Sequence, residues 1–141
     1  MSVAFADTSA LMKRYVEEPG STPLTTTRTQ LVVSALALVE LPSALWRKHR
    51  CNELAAEHLS ALLQEFDNDV AGEQITVVAL EATVIRTAQS VLAHHALRSS
   101  DALQLASALV ARTAAPECNT FLAFDQAVRA AAALERFVVG P

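Results

Sequence analysis

Residues 3–7 read VAFAD, and the same kind of segment returns at residues 121–125 as FLAFD. Each is a short run of apolar and aromatic residues that closes on a carboxylate and leads into a segment of helical periodicity. Runs of this kind read as core strands of an α/β protein, with the acid at the carboxyl end of the strand. That edge of an open parallel sheet is where ligands bind. Asp7 and Asp125 therefore both fall where a site is expected.

Outward from these two strands the chain alternates the same two patterns. Leu11, Met12, Tyr15 and Val16 stand at helical spacing, which predicts a helix over 8–18 that PGS at 19–21 ends. LVVSA at 31–35 is a second strand. LALVELPSALWRKHR at 36–50 is a helix with an apolar stripe of Leu38, Leu41, Leu45 and Trp46. Pro42 inside that pattern calls for a late helix start or a kink. Residues 53–66 form an amphipathic helix, NDVAGE at 68–73 a turn, and ITVVAL at 75–80 the third strand. Helices follow over 81–97 and 99–113, the second with Ser99 or Ser100 as its cap. TFLAF at 120–124 is the fourth strand, 125–134 the last helix, and RFVV at 136–139 a short final strand. Strands separated by helices imply right-handed crossovers. The expected fold class is α/β, a mostly parallel sheet of four to five strands with helices on both faces.

The 141 residues fit one domain, 1–141, able to bury about two-thirds of the surface of the unfolded chain. Apolar residues make up 52% and charged ones 18%, which excludes a disordered or low-complexity chain. No apolar run approaches the roughly 20 residues of a membrane helix, and no basic leader precedes an apolar stretch at the N-terminus. A cytoplasmic protein with no membrane association is expected, with Cys51 and Cys118 both reduced. There is no Cys/His zinc spacing, and the adjacent His94 and His95 would point apart on a helix.

Most of the fifteen acids lie in polar stretches or helix starts, where a solvated surface explains them. Asp7, Glu40, Asp101 and Asp125 differ, because each stands within apolar surroundings. Singly, each has an ordinary explanation. Asp7 and Asp125 suit helix N-caps, Asp101 suits the first turn of its helix, and Glu40 suits an exposed helix face. Their convergence argues otherwise, since in a doubly wound sheet all four positions can face one crevice. Carboxylates gathered there need a cation or raised pKa values. Few Lys or Arg lie beside them in sequence, so a metal is the better partner, and an all-oxygen donor set selects a hard ion, Mg²⁺ or Mn²⁺. One or two such ions activate water and stabilise charge on a phosphoryl oxygen, as in many nucleases. A net charge of −4 then does not exclude a nucleic-acid substrate, because bound cations reverse the local charge.

These residues resemble a family. ADTSALMKRYVEEPGS at 6–21, VVSALALVELPSALWR at 32–47, LRSSDALQLASAL at 97–109 and TFLAFDQAVRAAA at 120–132 are similar, in order, to four blocks of the PIN-domain ribonucleases, and within them of the VapC-type toxins of bacterial toxin–antitoxin pairs. The resemblance implies a three-layer α/β/α sandwich and Mg²⁺- or Mn²⁺-dependent cleavage of RNA. It implies that Asp7, Glu40, Asp101 and Asp125 are the catalytic, metal-holding acids, with Ser9 hydrogen-bonded within their cluster. It also implies a cognate antitoxin and a homodimer, for which the apolar helices over 36–46 and 54–66 offer surfaces. Lys13, Arg14 and Arg98 are the foremost candidates for RNA contact, with Arg47, Lys48 and Arg50 behind them. The four histidines have no role at a Mg²⁺ site. The alternative from another class is a non-catalytic metal-binding or phospho-accepting module of receiver-like fold. That module requires an acid pair after the first strand and a late Lys; here Asp7 stands alone and no Lys follows Lys48. A phosphohydrolase with a nucleophilic Asp would carry a second Asp where Ser9 stands.

Overall fold

Residues 2–17 and 29–141 are described by the structure, a computed structural model. In chain order the elements are β1 (Ser2–Ala6), α1 (Thr8–Tyr15), β2 (Thr29–Ser34), α2 (Ala37–Arg50), α3 (Ala56–Ala71), β3 (Ile75–Val78), α4 (Ala82–His94), α5 (Ser99–Ala114), β4 (Thr120–Leu122), α6 (Gln126–Leu134) and β5 (Val138–Gly140). The strands form one sheet in the order β3-β2-β1-β4-β5, every neighbouring pair parallel.

Side chains along β1 alternate between the two faces, as a pleated strand requires. Ala4 and Ala6 join a core with Leu31, Val33 and the inward residues of α1, α2 and α3. Phe5, on the opposite face, joins Val32, Phe121 and the inward residues of α4, α5 and α6. The Phe5 and Phe121 rings stack with centroids 5.3 Å apart across β1 and β4. Both faces are thus covered, which is why the strands read as near-continuous apolar runs, and the architecture is a three-layer α/β/α sandwich.

The strand order reverses beside β1: β2 and β3 extend to one side, β4 and β5 to the other. The crevice at the carboxyl ends of β1 and β4 is the switch point, where doubly wound sheets bind ligands. The order also sets the fold apart from the 2-1-3-4-5 sheets of receiver-type domains.

Several boundaries differ from expectation. The helix expected over 53–66 begins at Ala56 and runs to Ala71, because Val70 continues the buried row of Leu59, Leu62 and Phe66 and packs on the first core. The turn expected over 68–73 reduces to Gly72 and Glu73, the latter in left-handed backbone (φ 59°). Neither Ser99 nor Ser100 caps α5, whose N-cap is Arg98 without a side-chain bond. Helix α2 continues through Pro42. The carbonyl that loses its donor belongs to Leu38, 39% exposed, where water can take it. β4 ends at Leu122, two residues short of the expected strand, so Asp125 lies three residues beyond it. Glu18 and the PGS stop fall outside the described residues. Among the described residues no helix is long and apolar enough to cross a membrane, and Cys51 and Cys118 are both free.

Candidate active site

Asp7 follows β1 directly and is tied to β4 by its own amide, which donates to the Leu122 carbonyl at 3.0 Å. It is the N-cap of α1. Its Oδ1 accepts from the Ala10 amide at 3.0 Å and from the Ser9 hydroxyl at 2.7 Å. The side chain is buried, and this burial above all pushes its pKa up to about 6. The Asp101 and Glu40 carboxylates push in the same direction, while the bonds from Ser9 and Ala10 pull against it. Two other carboxylates are therefore close enough to Asp7 to disfavour its charge.

Glu40 stands in the first turn of α2 and turns toward α1 and α5. Its Oε1 accepts from the Thr8 hydroxyl at 2.7 Å and from Nε2 of Gln104 at 2.9 Å, and the same Nε2 reaches Thr8 Oγ1 at 3.0 Å. Gln104 is buried, and its Oε1 has no partner among the described residues.

Asp101 lies in the first turn of α5, where the helix dipole favours an anion. Its Oδ2 is 3.4 Å from Nε of Arg98, a largely exposed side chain. Asp125 is the N-cap of α6, with Oδ1 accepting from the amides of Ala127 and Val128 at 3.0 and 3.2 Å. The segment leading to it is held twice. The Phe124 amide donates to Ser9 Oγ at 3.4 Å, and Arg129 Nη1 donates to the carbonyls of Ala123 and Gly140 at 2.7 Å each.

All four acids line one cleft of about 320 Å³, together with Thr8, Ser9, Ser100, Arg98 and Gln104. In each, the hydrogen bonds among the described residues fall on a single carboxylate oxygen: Oδ1 of Asp7 and Asp125, Oε1 of Glu40, Oδ2 of Asp101. Among the described residues the second oxygen of each accepts no hydrogen bond. Among the described residues, however, no three His, Cys, Asp or Glu side chains are close enough to cage one ion. Glu40 leans on Thr8 and Gln104, Asp101 on Arg98, and Asp125 on its own helix. The donor chemistry nonetheless fits Mg²⁺ or Mn²⁺. Among the described residues no His or Cys lines the cleft and its acids and hydroxyls offer oxygen donors, the Asp101 and Glu40 carboxylates disfavour the charge on Asp7, and Mg²⁺ keeps several waters while taking one or two carboxylates.

The candidate nucleic-acid contacts separate. Arg98 lines the cleft. Arg14 does not; it is paired with Asp69 at 3.3 Å, beside the Tyr15 hydroxyl, which donates to the same oxygen at 2.6 Å. Lys13 lies over the Phe124 ring, 5.1 Å from its centroid, and lines a neighbouring cleft. His49, His94 and His95 bond elsewhere, to Leu54 O, Ser90 O and Glu135. Thr8, Ser100 and Gln104 were missed by sequence reasoning. Gln104 had a signal, an amide in an otherwise apolar helical run and one turn on from Asp101.

A family profile described as PIN domain matches residues 4–134 of the chain. No curated protein matches it.

Proposed function

The chain belongs to the PIN domain family, and we propose that it is a Mg²⁺- or Mn²⁺-dependent endoribonuclease, the cytoplasmic toxin of a type II toxin–antitoxin pair, folded as one domain over residues 1–141. PIN domains are generally metal-dependent nucleases acting on RNA or DNA. One observation carries the catalytic reading: Asp7 is buried with its pKa pushed up to about 6, in the company of Glu40 and Asp101, on the wall of a single cleft.

In this reading Asp7, Glu40, Asp101 and Asp125 would hold one or two ions. A divalent ion there would supply a more acidic water and neutralise charge on the phosphoryl oxygens. Thr8 and Gln104 orient Glu40, and Ser9 orients Asp7. Arg98 places a positive charge at the mouth.

The toxin reading rests on the four sequence blocks and on the surface of α2. Leu38, Val39 and Trp46 are exposed there, Val39 at 70%, as an antitoxin or a second copy of the chain requires. The α3 stripe is different: Leu59, Leu62 and Phe66 are core.

The test is incubation of total cellular RNA with the purified, antitoxin-free chain in Mg²⁺ or Mn²⁺. Fragments that disappear with EDTA and with Asp7→Asn are expected. Intact RNA with metal present, or cleavage indifferent to EDTA, contradicts the assignment.

A further inference from the structure

Beside the acidic cleft lies a second one of about 480 Å³, and Ser9 lines both. Its character is opposite. Among the described residues Lys13 comes to it from α1 and Arg47 and Lys48 from the last turn of α2, with Glu53 in the same lining. The ring of Phe124, the residue before Asp125, forms part of its wall, with the Lys13 ammonium 5.1 Å from the ring centroid. Basic residues at the end of α2 would complement its dipole wherever they pointed. That does not explain why a lysine of α1 and an aromatic ring converge on the same hollow.

Resting on the nuclease reading above, we infer that this basic cleft is the subsite for the nucleotide next to the scissile phosphate of a single-stranded RNA. Three features support it. The cleft adjoins the acids through Ser9, so one strand can run from one to the other. Its cations meet the backbone phosphate, which needs positive charge without base specificity. An aromatic face with adjacent cations is the usual platform for an unstacked base. The volume lies within the 300–1,000 Å³ range of ligand pockets, enough for one nucleotide and too small for a duplex. Arg14, locked to Asp69, is outside this track.

The test is the affinity of a fluorescently labelled 12-residue single-stranded RNA by anisotropy, in EDTA so that nothing is cleaved, across a range of salt concentrations. The charge reversal R47E/K48E is expected to weaken binding at least tenfold. It should also flatten the log–log salt dependence by about 1.4, two contacts at ~0.7 each. F124L, which keeps apolar bulk, is expected to weaken binding at least fivefold with the slope unchanged. Circular dichroism confirms that each variant is folded. Unchanged affinity and slope in R47E/K48E overturn the subsite, as does a wild type that does not bind RNA. If R47E/K48E binds RNA like wild type but no longer captures an acidic protein partner, the cleft is a protein-docking surface and the inference fails. The two readings fail separately. Binding that responds to the substitutions without cleavage in Mg²⁺ or Mn²⁺ sinks the nuclease assignment alone. Cleavage by wild type with variants that bind normally sinks the subsite alone.

Discussion

Gln104 of α5 and Glu40 of α2 meet at one carboxylate oxygen, with Nε2 of the amide 2.9 Å from Oε1, and Thr8 of α1 donates to that same oxygen at 2.7 Å. Three helices are thereby fastened around Glu40. Gln104→Met keeps the volume and removes both amide bonds. Because the unpartnered Oε1 is removed with them, stability is expected to change by less than about 1.5 kcal/mol. Cleavage is expected to fall by roughly ten- to a hundredfold, since a misplaced catalytic group costs that much. Single-turnover cleavage and a thermal melt check the two halves.

Asp7 and Asp125 each cap a helix and line the cleft, and isosteric amides separate the two duties. Asn is as good an N-cap as Asp, so Asp7→Asn and Asp125→Asn should unfold within about 1 kcal/mol of wild type or, for Asp7, be more stable. Asp125→Ala should lose about 1 kcal/mol with its cap. Cleavage should fall at least a hundredfold in Asp7→Asn, about 2.7 kcal/mol of barrier. An Asn variant that is stable and fully active would leave Asp7 as a cap and nothing more.

The metal-free protein should also report Asp7 through pH. Its carboxyl holds a proton more tightly folded, at about 6, than at the ordinary value of 3.8, chiefly because of burial. Between those values the folded state carries the extra proton. Stability in EDTA should therefore decline as pH rises from about 4 to about 6 and level off above, by on the order of 3 kcal/mol. Asp7→Asn should abolish that decline, and Mn²⁺ at neutral pH should offset it in wild type. Denaturation midpoints measured from pH 4 to 7 give the curve.

Distant from the cleft, Tyr15 and Arg14 share Asp69, and burial together with that carboxylate holds the phenol proton well above its usual range. Tyr15→Phe keeps the edge-on contact with Phe66 and leaves Asp69 with Arg14. A loss of about 1–2 kcal/mol is expected. Asp69→Ala strands a half-buried hydroxyl and a guanidinium together and should cost more, about 2–4 kcal/mol. Urea unfolding of the two variants compares them.

What could be read from the sequence was what is local. VAFAD and FLAFD show two strands and their acids because apolar runs and their polar ends are adjacent in the chain, and Asp101 stands out because its helix is otherwise apolar. Boundaries failed where local character opposed packing. NDVAGE at 68–73 reads as a turn, yet Val70 reaches the core and carries α3 on to Ala71. Pro42 looks like a break, yet Leu38 is exposed enough for its carbonyl to use water. Arg14 reads from the sequence as an RNA contact, since nothing local shows that Asp69, 55 positions away, engages it. Gln104 acquires its meaning from Thr8 and Glu40, 96 and 64 positions off. Nor could spacing show that, among the described residues, each acid takes its hydrogen bonds through a single oxygen.

The central claim is that the acids of this cleft hold a divalent ion, and Mn²⁺ binding followed by electron paramagnetic resonance tests it most directly. Wild type should take up one or two Mn²⁺, and Asp7→Asn, folded and capped as before, should bind at least tenfold more weakly. Equal binding by the two proteins, or none by wild type, would contradict it.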